Sequence, residues 1–190
     1  MSETNLVRCP WSASDPFNLS YHDNEWGVPL HDDRKLFEML CLEGAQAGLS
    51  WLTVLKKRQA FKQAFDDFDI NKIANYNAKK LTSLLNNDEI IKNHLKINSV
   101  IINAQSLLKL KVDFGSFDNY LWQFVDFKPV KHHYKLVSEV PPTNKLATQL
   151  SNDFKRRGFK FVGPIICYSF IQAIGMVNDH LISCYRYNQL

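Results

Sequence analysis

Two pairs of potential metal ligands lie near opposite ends of the chain, and no other feature limits its fold as tightly. Cys9 and His22 are spaced C-x12-H, and His180 and Cys184 are spaced H-x3-C. The second spacing predicts a helix with both side chains on one face, one turn apart. Two thiols and two imidazoles suit a structural Zn²⁺ in tetrahedral geometry, and four N/S ligands leave no open position for a catalytic water. Such a site ties segment 9–22 to segment 180–184. The residues leave another reading open, with the cysteines as buried thiols and the histidines on the surface, because most of the chain separates the pairs. Cys41 and Cys167 fall in apolar helical runs and read as plain buried residues.

The 190 residues suffice for one domain, taken as 1–190. With 45% hydrophobic and 13% aromatic residues, the chain has the material for a substantial core. A formal charge of +4 is compatible with a polyanionic partner but is also ordinary for a cytosolic protein. Residues 1–8 lack the apolar run of a signal peptide, and no apolar stretch reaches the ~18 residues of a membrane span. The expectation is a cytoplasmic protein without a membrane partner. A protein of that compartment and size does not need disulfides, which favours metal ligation for Cys9 and Cys184.

Helical periodicity dominates, and the predicted class is all-α with short loops. Asp32 or Asp33 caps a helix to about Ala47; Gly48-Leu49-Ser50 breaks it; Ser50 caps the next, through Phe65. Short helices are expected at 70–76 and 78–85. A long amphipathic one covers 96–111, and another short one covers 117–125. Residues 126–144 read as loop, with a hint of strand at 130–140. Lys145–Arg157 is amphipathic and ends at Gly158, a natural residue to follow a helix. Residues 164–177 are strongly apolar and expected to be buried.

Glu43 falls within the apolar stripe of the helix after Asp33, between Leu36, Met39, Leu40 and Ala47. A buried carboxylate is costly unless it is paired. Either it forms a structural ion pair or reaches water at the helix edge, or it serves a ligand. Trp11, Tyr21, Trp26 and Trp51 lie nearby in sequence. Aromatics are usually core, but with a carboxylate they also suit a flat, cationic heterocycle. Lys56-Lys57-Arg58 reads as a solvated helix end. In the segment 155–160, Lys155, Arg156 and Lys160 are candidates for phosphate contacts, against the simpler reading of a charged surface.

The segments RCPW (8–11), YHDNEWG followed by LEGAQAGLSW within 21–58, KRRGFKFVGPIICYSF (155–170) and GMVNDHLISC (175–184) together resemble the 3-methyladenine DNA glycosylase I family. That resemblance spans almost the whole chain. It implies a helix-hairpin-helix DNA glycosylase fold, with residues 84–103 as the helix-hairpin-helix. It implies one Zn²⁺ held by Cys9, His22, His180 and Cys184. It carries the base-recognition and catalytic roles onto Glu43 and Tyr21, with Trp11 and Trp51 lining or stacking in the pocket. It implies hydrolysis of the N-glycosidic bond of 3-methyladenine in alkylated double-stranded DNA by a monomer, with free 3-methyladenine released. The same scaffold acting on 3-methylguanine, and a non-catalytic zinc-stabilised DNA-binding module, are the competing readings. Two positions depart from the family pattern. Glu89 stands in the hairpin where some relatives have glycine, and Asn18 stands where some have a pocket tyrosine. No residue plainly matches the catalytic aspartate of other helix-hairpin-helix glycosylases.

Overall fold

The computed structural model describes residues 6–190, and among them the chain forms nine α-helices and one minimal sheet. The helices are α1 (Pro16–Asn24), α2 (Asp33–Gln46), α3 (Trp51–Ala64), α4 (Ile70–Ala74) and α5 (Ala78–Leu85), then α6 (His94–Phe114), α7 (Phe117–Trp122), α8 (Lys145–Arg156) and α9 (Pro164–Ala173). No helix is long and apolar enough to cross a membrane. Side-chain caps set most starts: Asp15, Asp32, Ser50, Asp69, Asn77, Asn93, Ser116 and Asn144 each accept a backbone N–H from the first turn of α1 to α8 in order. Gly158, with φ of 92°, takes the left-handed conformation just beyond α8, where a Cβ is disfavoured.

At the centre lies α2, packed against α3, α6, α7 and α9. Residues Leu36 to Ala45 are all buried, so this helix has no solvent face over that span. The expected amphipathic stripe was too narrow, because four neighbouring helices enclose α2 rather than one face of it. Glu43 is thus deep in the core, and a helix-edge escape to water is closed to it. Against α6 pack α4 and α5, and α8 packs on α9.

The strand expectation at 130–140 is corrected. Only β1 (Val130–Lys131) is extended in a ladder, parallel to β2 (Val177–Asn178), with Val130 opposite Val177 and Lys131 opposite Asn178. The remainder folds into a turn of 3₁₀ helix at Val137–Glu139, where the Glu139 carboxylate accepts the N–H groups of Lys135 and Leu136. The helix expected through His180 and Cys184 is also corrected. Residues beyond β2 run through turns, with Cys184 N–H bonded to the Leu181 carbonyl at 2.8 Å. Residues 179–181 after β2 have no regular structure and turns begin at 182, so the two ligands converge without a helix. The C-terminal segment returns to the start of the chain, where Tyr185 N–H meets the Val7 carbonyl at 2.8 Å.

Lys56-Lys57-Arg58 is likewise not a merely solvated end. Arg58 bridges Glu38 at 2.7 Å and Glu25 at 2.6 Å. Lys57 donates to the Glu89 carbonyl at 2.8 Å, tying α3 to the turn between α5 and α6.

Candidate active site

The turn of 3₁₀ helix at Pro10–Ser14 and the helix α1 build one wall of a cavity of about 530 Å³. Asp15 caps α1 and Pro16 begins it, which suits a first turn that needs no N–H there. On this helix Asn18, Tyr21 and His22 are buried together, at spacings that share a face. Asn18 and Tyr21 line the cavity. Opposite them, α2 contributes Glu43 and Gln46, and α3 begins with Trp51. The link between them turns sharply at Gly48, whose φ of 77° favours glycine, and leaves Leu49 exposed. The Tyr21 and Trp51 rings lie 5.2 Å apart, and Trp11 lies 6.4 Å from Tyr21. Val137 and Val140 of the long loop and Gln172 of α9 complete the enclosure.

Among the described residues, five buried side-chain N or O atoms have no hydrogen-bond partner: Asn18 Oδ1, Tyr21 Oη, Glu43 Oε2, Trp51 Nε1 and Arg186 Nε. All but the last belong to residues lining this one cavity. Each unmet group costs about 1–3 kcal/mol, so their convergence marks a site whose partners come from a ligand. Two contrasts within the same protein sharpen the point. Trp122 is buried but donates its indole N–H to the Leu30 carbonyl at 3.0 Å, whereas Trp51 donates to nothing. Glu38 is buried on the same helix as Glu43 but is paired with Arg58. Desolvation, with no cation to offset it, pushes Glu43 up to about 8. Burial also raises the Tyr21 phenol well above its usual value, and Glu43 and Glu25 add to this. The cavity therefore offers acceptors and donors between aromatic faces, with a carboxyl whose ionised form lacks a counter-charge.

Beside the cavity, which Cys9 itself helps to line, the four predicted metal ligands come together. Cys9, His22, His180 and Cys184 are all buried, and their donor atoms lie within 4.8 Å of one another. Cys9 Sγ is 3.6 Å from His180 Nδ1; Cys184 Sγ is 3.5 Å from His180 Nδ1 and 3.4 Å from His22 Nε2. With Zn–S about 2.3 Å and Zn–N about 2.0 Å, a tetrahedral site has S···N edges of about 3.5 Å. The remaining ring nitrogens are also occupied in the manner a metal requires. His22 Nδ1 faces the Asp23 carboxylate at 2.8 Å and His180 Nε2 faces the Trp26 carbonyl at 3.1 Å, so each imidazole holds its proton away from the centre. Arg8 completes the outer layer by pairing with Asp23 at 2.9 Å. The residues fit Zn²⁺ in ligand type, spacing and tautomer. The His22 ring also packs edge-on to Trp11 at 5.3 Å, which joins this cysteine–histidine cluster to the cavity wall.

The basic candidates stand apart from the cavity lining. Lys155 and Arg156 are exposed at the end of α8, with Arg156 paired to Asp153 at 2.7 Å. Lys160 is exposed beyond that helix, and its backbone N–H donates to Asn103 of α6 at 2.7 Å. Glu89 is exposed in the turn between α5 and α6, at a φ that does not demand glycine, and its N–H is taken by Asn87. Sequence reasoning missed Asp179 as a cavity residue. It is fully buried at its side chain and accepts hydrogen bonds from Tyr168 at 2.6 Å and Gln172 at 2.7 Å. Its neighbour His180 drew notice as a ligand, but nothing local reveals partners on other segments. Gln46 and Ser14 were missed for the same reason.

The methyladenine glycosylase family pattern matches residues 11–187. DNA-3-methyladenine glycosylase 1 of Escherichia coli is 46% identical over 96% of this chain and 97% of its own length. A crystal structure of 3-methyladenine DNA glycosylase I superposes with a TM-score of 0.91 at 46% identity, covering 94% of this chain and 98% of that one. A variant of 3-methyladenine DNA glycosylase I in complex with 3-methyladenine superposes with a TM-score of 0.92 at 39% identity, covering 95% and 97%.

Proposed function

The chain belongs to the methyladenine glycosylase family, and we propose that Glu43, Tyr21, Trp11 and Trp51 carry out its reaction in the cavity just described. The protein is a DNA-3-methyladenine glycosylase: it hydrolyses the N-glycosidic bond of 3-methyladenine in alkylated DNA and releases the free base. The observation that carries the residue assignment is the convergence of unpartnered polar atoms on one aromatic-walled cavity.

Methylation at N3 makes the base a cation and a good leaving group, so the departing ring needs no proton from the protein. The enzyme must take the nucleotide out of the stack, hold the cation between aromatic faces and select its edge. Trp11 and Trp51 supply the faces. Glu43 accepts an N–H from the amino edge, and its ionised form gains the counter-charge that the cavity lining does not supply. Tyr21 Oη, next to Glu43, is free to bond a second polar atom of the base. A normal adenine is neutral, leaves poorly and offers Glu43 no charge. In this reading Leu49, exposed between the lining residues Gln46 and Ser50, fills the gap left by the extruded nucleotide. Residues 84–103, from the end of α5 through the turn into α6, serve in this reading as the helix-hairpin-helix that grips the phosphate backbone, with Lys155, Arg156 and Lys160 as further contacts. One Zn²⁺ on Cys9, His22, His180 and Cys184 would cross-link the termini and fix Trp11, with no reaction step of its own.

The test is incubation with methylated DNA followed by identification of the released base, alongside titration of free 3-methyladenine on tryptophan fluorescence. Glu43→Gln keeps the shape and removes the charge. It is expected to weaken base binding and excision about ten- to a hundredfold, the scale of a charged hydrogen bond. Trp51→Ala is expected to weaken base binding through lost stacking. Parent-like behaviour of Glu43→Gln would return Glu43 to a structural role.

A further inference from the structure

Asn18 lies on α1 one turn before Tyr21, is 8% exposed and lines the base cavity. The orientation of its amide follows from its neighbours. Ser14 Oγ donates to the Trp11 carbonyl at 3.2 Å, so its proton is committed and a lone pair faces Asn18. The Asn18 atom 2.9 Å from Ser14 Oγ must therefore be the donor Nδ2. This leaves Oδ1 as the free end of the amide, buried and without a partner. A structural asparagine at this depth is expected to have both ends bonded. Among the residues lining the cavity, only Tyr21 Oη, Glu43 Oε2 and Trp51 Nε1 share its condition.

We propose that Asn18 is a specificity-determining residue: its Oδ1 accepts an N–H of the bound base, alongside the one accepted by Glu43. This rests on the glycosylase reading above. A purine with a 6-amino group carries two N–H bonds on one nitrogen, enough for two acceptors. A 6-oxo purine presents a lone pair at that position and meets acceptors with an acceptor. Asn18 thereby sharpens selection of 3-methyladenine over 6-oxo alkylpurines. Ser14 is the support that keeps the amide from flipping to offer its donor.

The experiment measures dissociation constants of free 3-methyladenine and 3-methylhypoxanthine, which differ in the 6-amino and 6-oxo groups, for the parent protein, Asn18→Leu and Asn18→Ala. The two variants lack the acceptor but differ in volume, so a shared effect reports the acceptor and not the shape. Both are expected to lower the preference for 3-methyladenine by about three- to tenfold, the scale of one neutral hydrogen bond. The melting temperature of Asn18→Leu without ligand is expected to be unchanged or higher, because an unmet buried acceptor is removed. A preference kept within twofold in both variants would overturn the proposal. So would a loss of binding that only accompanies a lower melting temperature. A parent protein that releases no base from methylated DNA would overturn the glycosylase reading and this inference with it; an active parent with unchanged variants would overturn this inference alone.

Discussion

Lys96, in the first turn of α6, reaches across to α2 and donates from Nζ to the carbonyls of Ala45 and Ala47, at 2.8 and 2.6 Å. These are among the last carbonyls of the helix that carries Glu43, and such groups lack partners within the helix. A cation there also complements the negative end of the helix. The helix that follows the α5–α6 turn is thus joined directly to the segment that turns into the cavity rim at Gly48 and Leu49. Partial desolvation lowers the Lys96 pKa.

Lys96→Met is therefore expected to destabilise the fold by about 1–3 kcal/mol, the scale of lost hydrogen bonds to a charged group. Lys96→Arg should recover part of that loss. Urea unfolding of the three proteins measures it, and equal midpoints for Lys96→Met and the parent would show that water caps these carbonyls equally well.

Glu43 makes stability depend on pH. Burial holds its carboxyl at about 8 against the usual 4.5, so between those values the native state retains a proton that the unfolded chain releases. The contribution is fully present below the unfolded value and is lost as pH rises to about 8, at about 1.4 kcal/mol per unit. Glu43→Gln has no proton to lose. Its stability should fall less over this window, and it should exceed the parent at the upper end. Denaturant midpoints across the window decide the matter, since parallel profiles would mean that Glu43 is ionised and paired.

Metal content gives a third check. Protein purified without added zinc is expected to carry one Zn²⁺ per chain, and Cys184→Ala or a strong chelator should lower its melting temperature. Asp23→Ala removes the carboxylate behind His22 and is expected to weaken zinc affinity about ten- to a hundredfold. Metal-free protein of undiminished stability would refute the assignment.

Lys155, Arg156 and Lys160 are expected to contribute DNA affinity without base preference, because phosphate contacts carry no sequence identity. Each lost contact should reduce the slope of log affinity against log salt by about 0.9. Arg156→Gln should show the smallest change, since Asp153 already neutralises that guanidinium. Salt titrations of single and triple variants measure this, and an unchanged triple variant would leave these residues as ordinary surface.

Local signals made the helices legible. Ser50 and Asp32 accept the N–H groups of their own first turns, so the boundaries of α2 and α3 are written within a few residues of themselves. The same holds for Gly158 after α8. The strand hint at 130–140 failed because a two-residue parallel ladder depends on β2, far along the chain. The spacing of His180 and Cys184 suited a helix, yet neither lies in one after β2.

By itself the sequence determined two Cys/His pairs of a type that can hold a metal, a carboxylate in an apolar helical run with aromatics near it in sequence, and a family resemblance that the matches to known glycosylases bear out. Residue type and near-neighbour spacing carry that information. Only the tertiary structure decided which polar groups are satisfied. Glu38 and Glu43 lie on one buried helix five positions apart, and nothing local tells them apart. Arg58 of α3 reaches the first and no cation reaches the second. Likewise Asn18 differs from a structural asparagine only because Ser14 fixes one end of its amide while the cavity leaves the other unmet. Pairing of a buried polar group is a property of what folds against it, and those partners come from elsewhere in the chain.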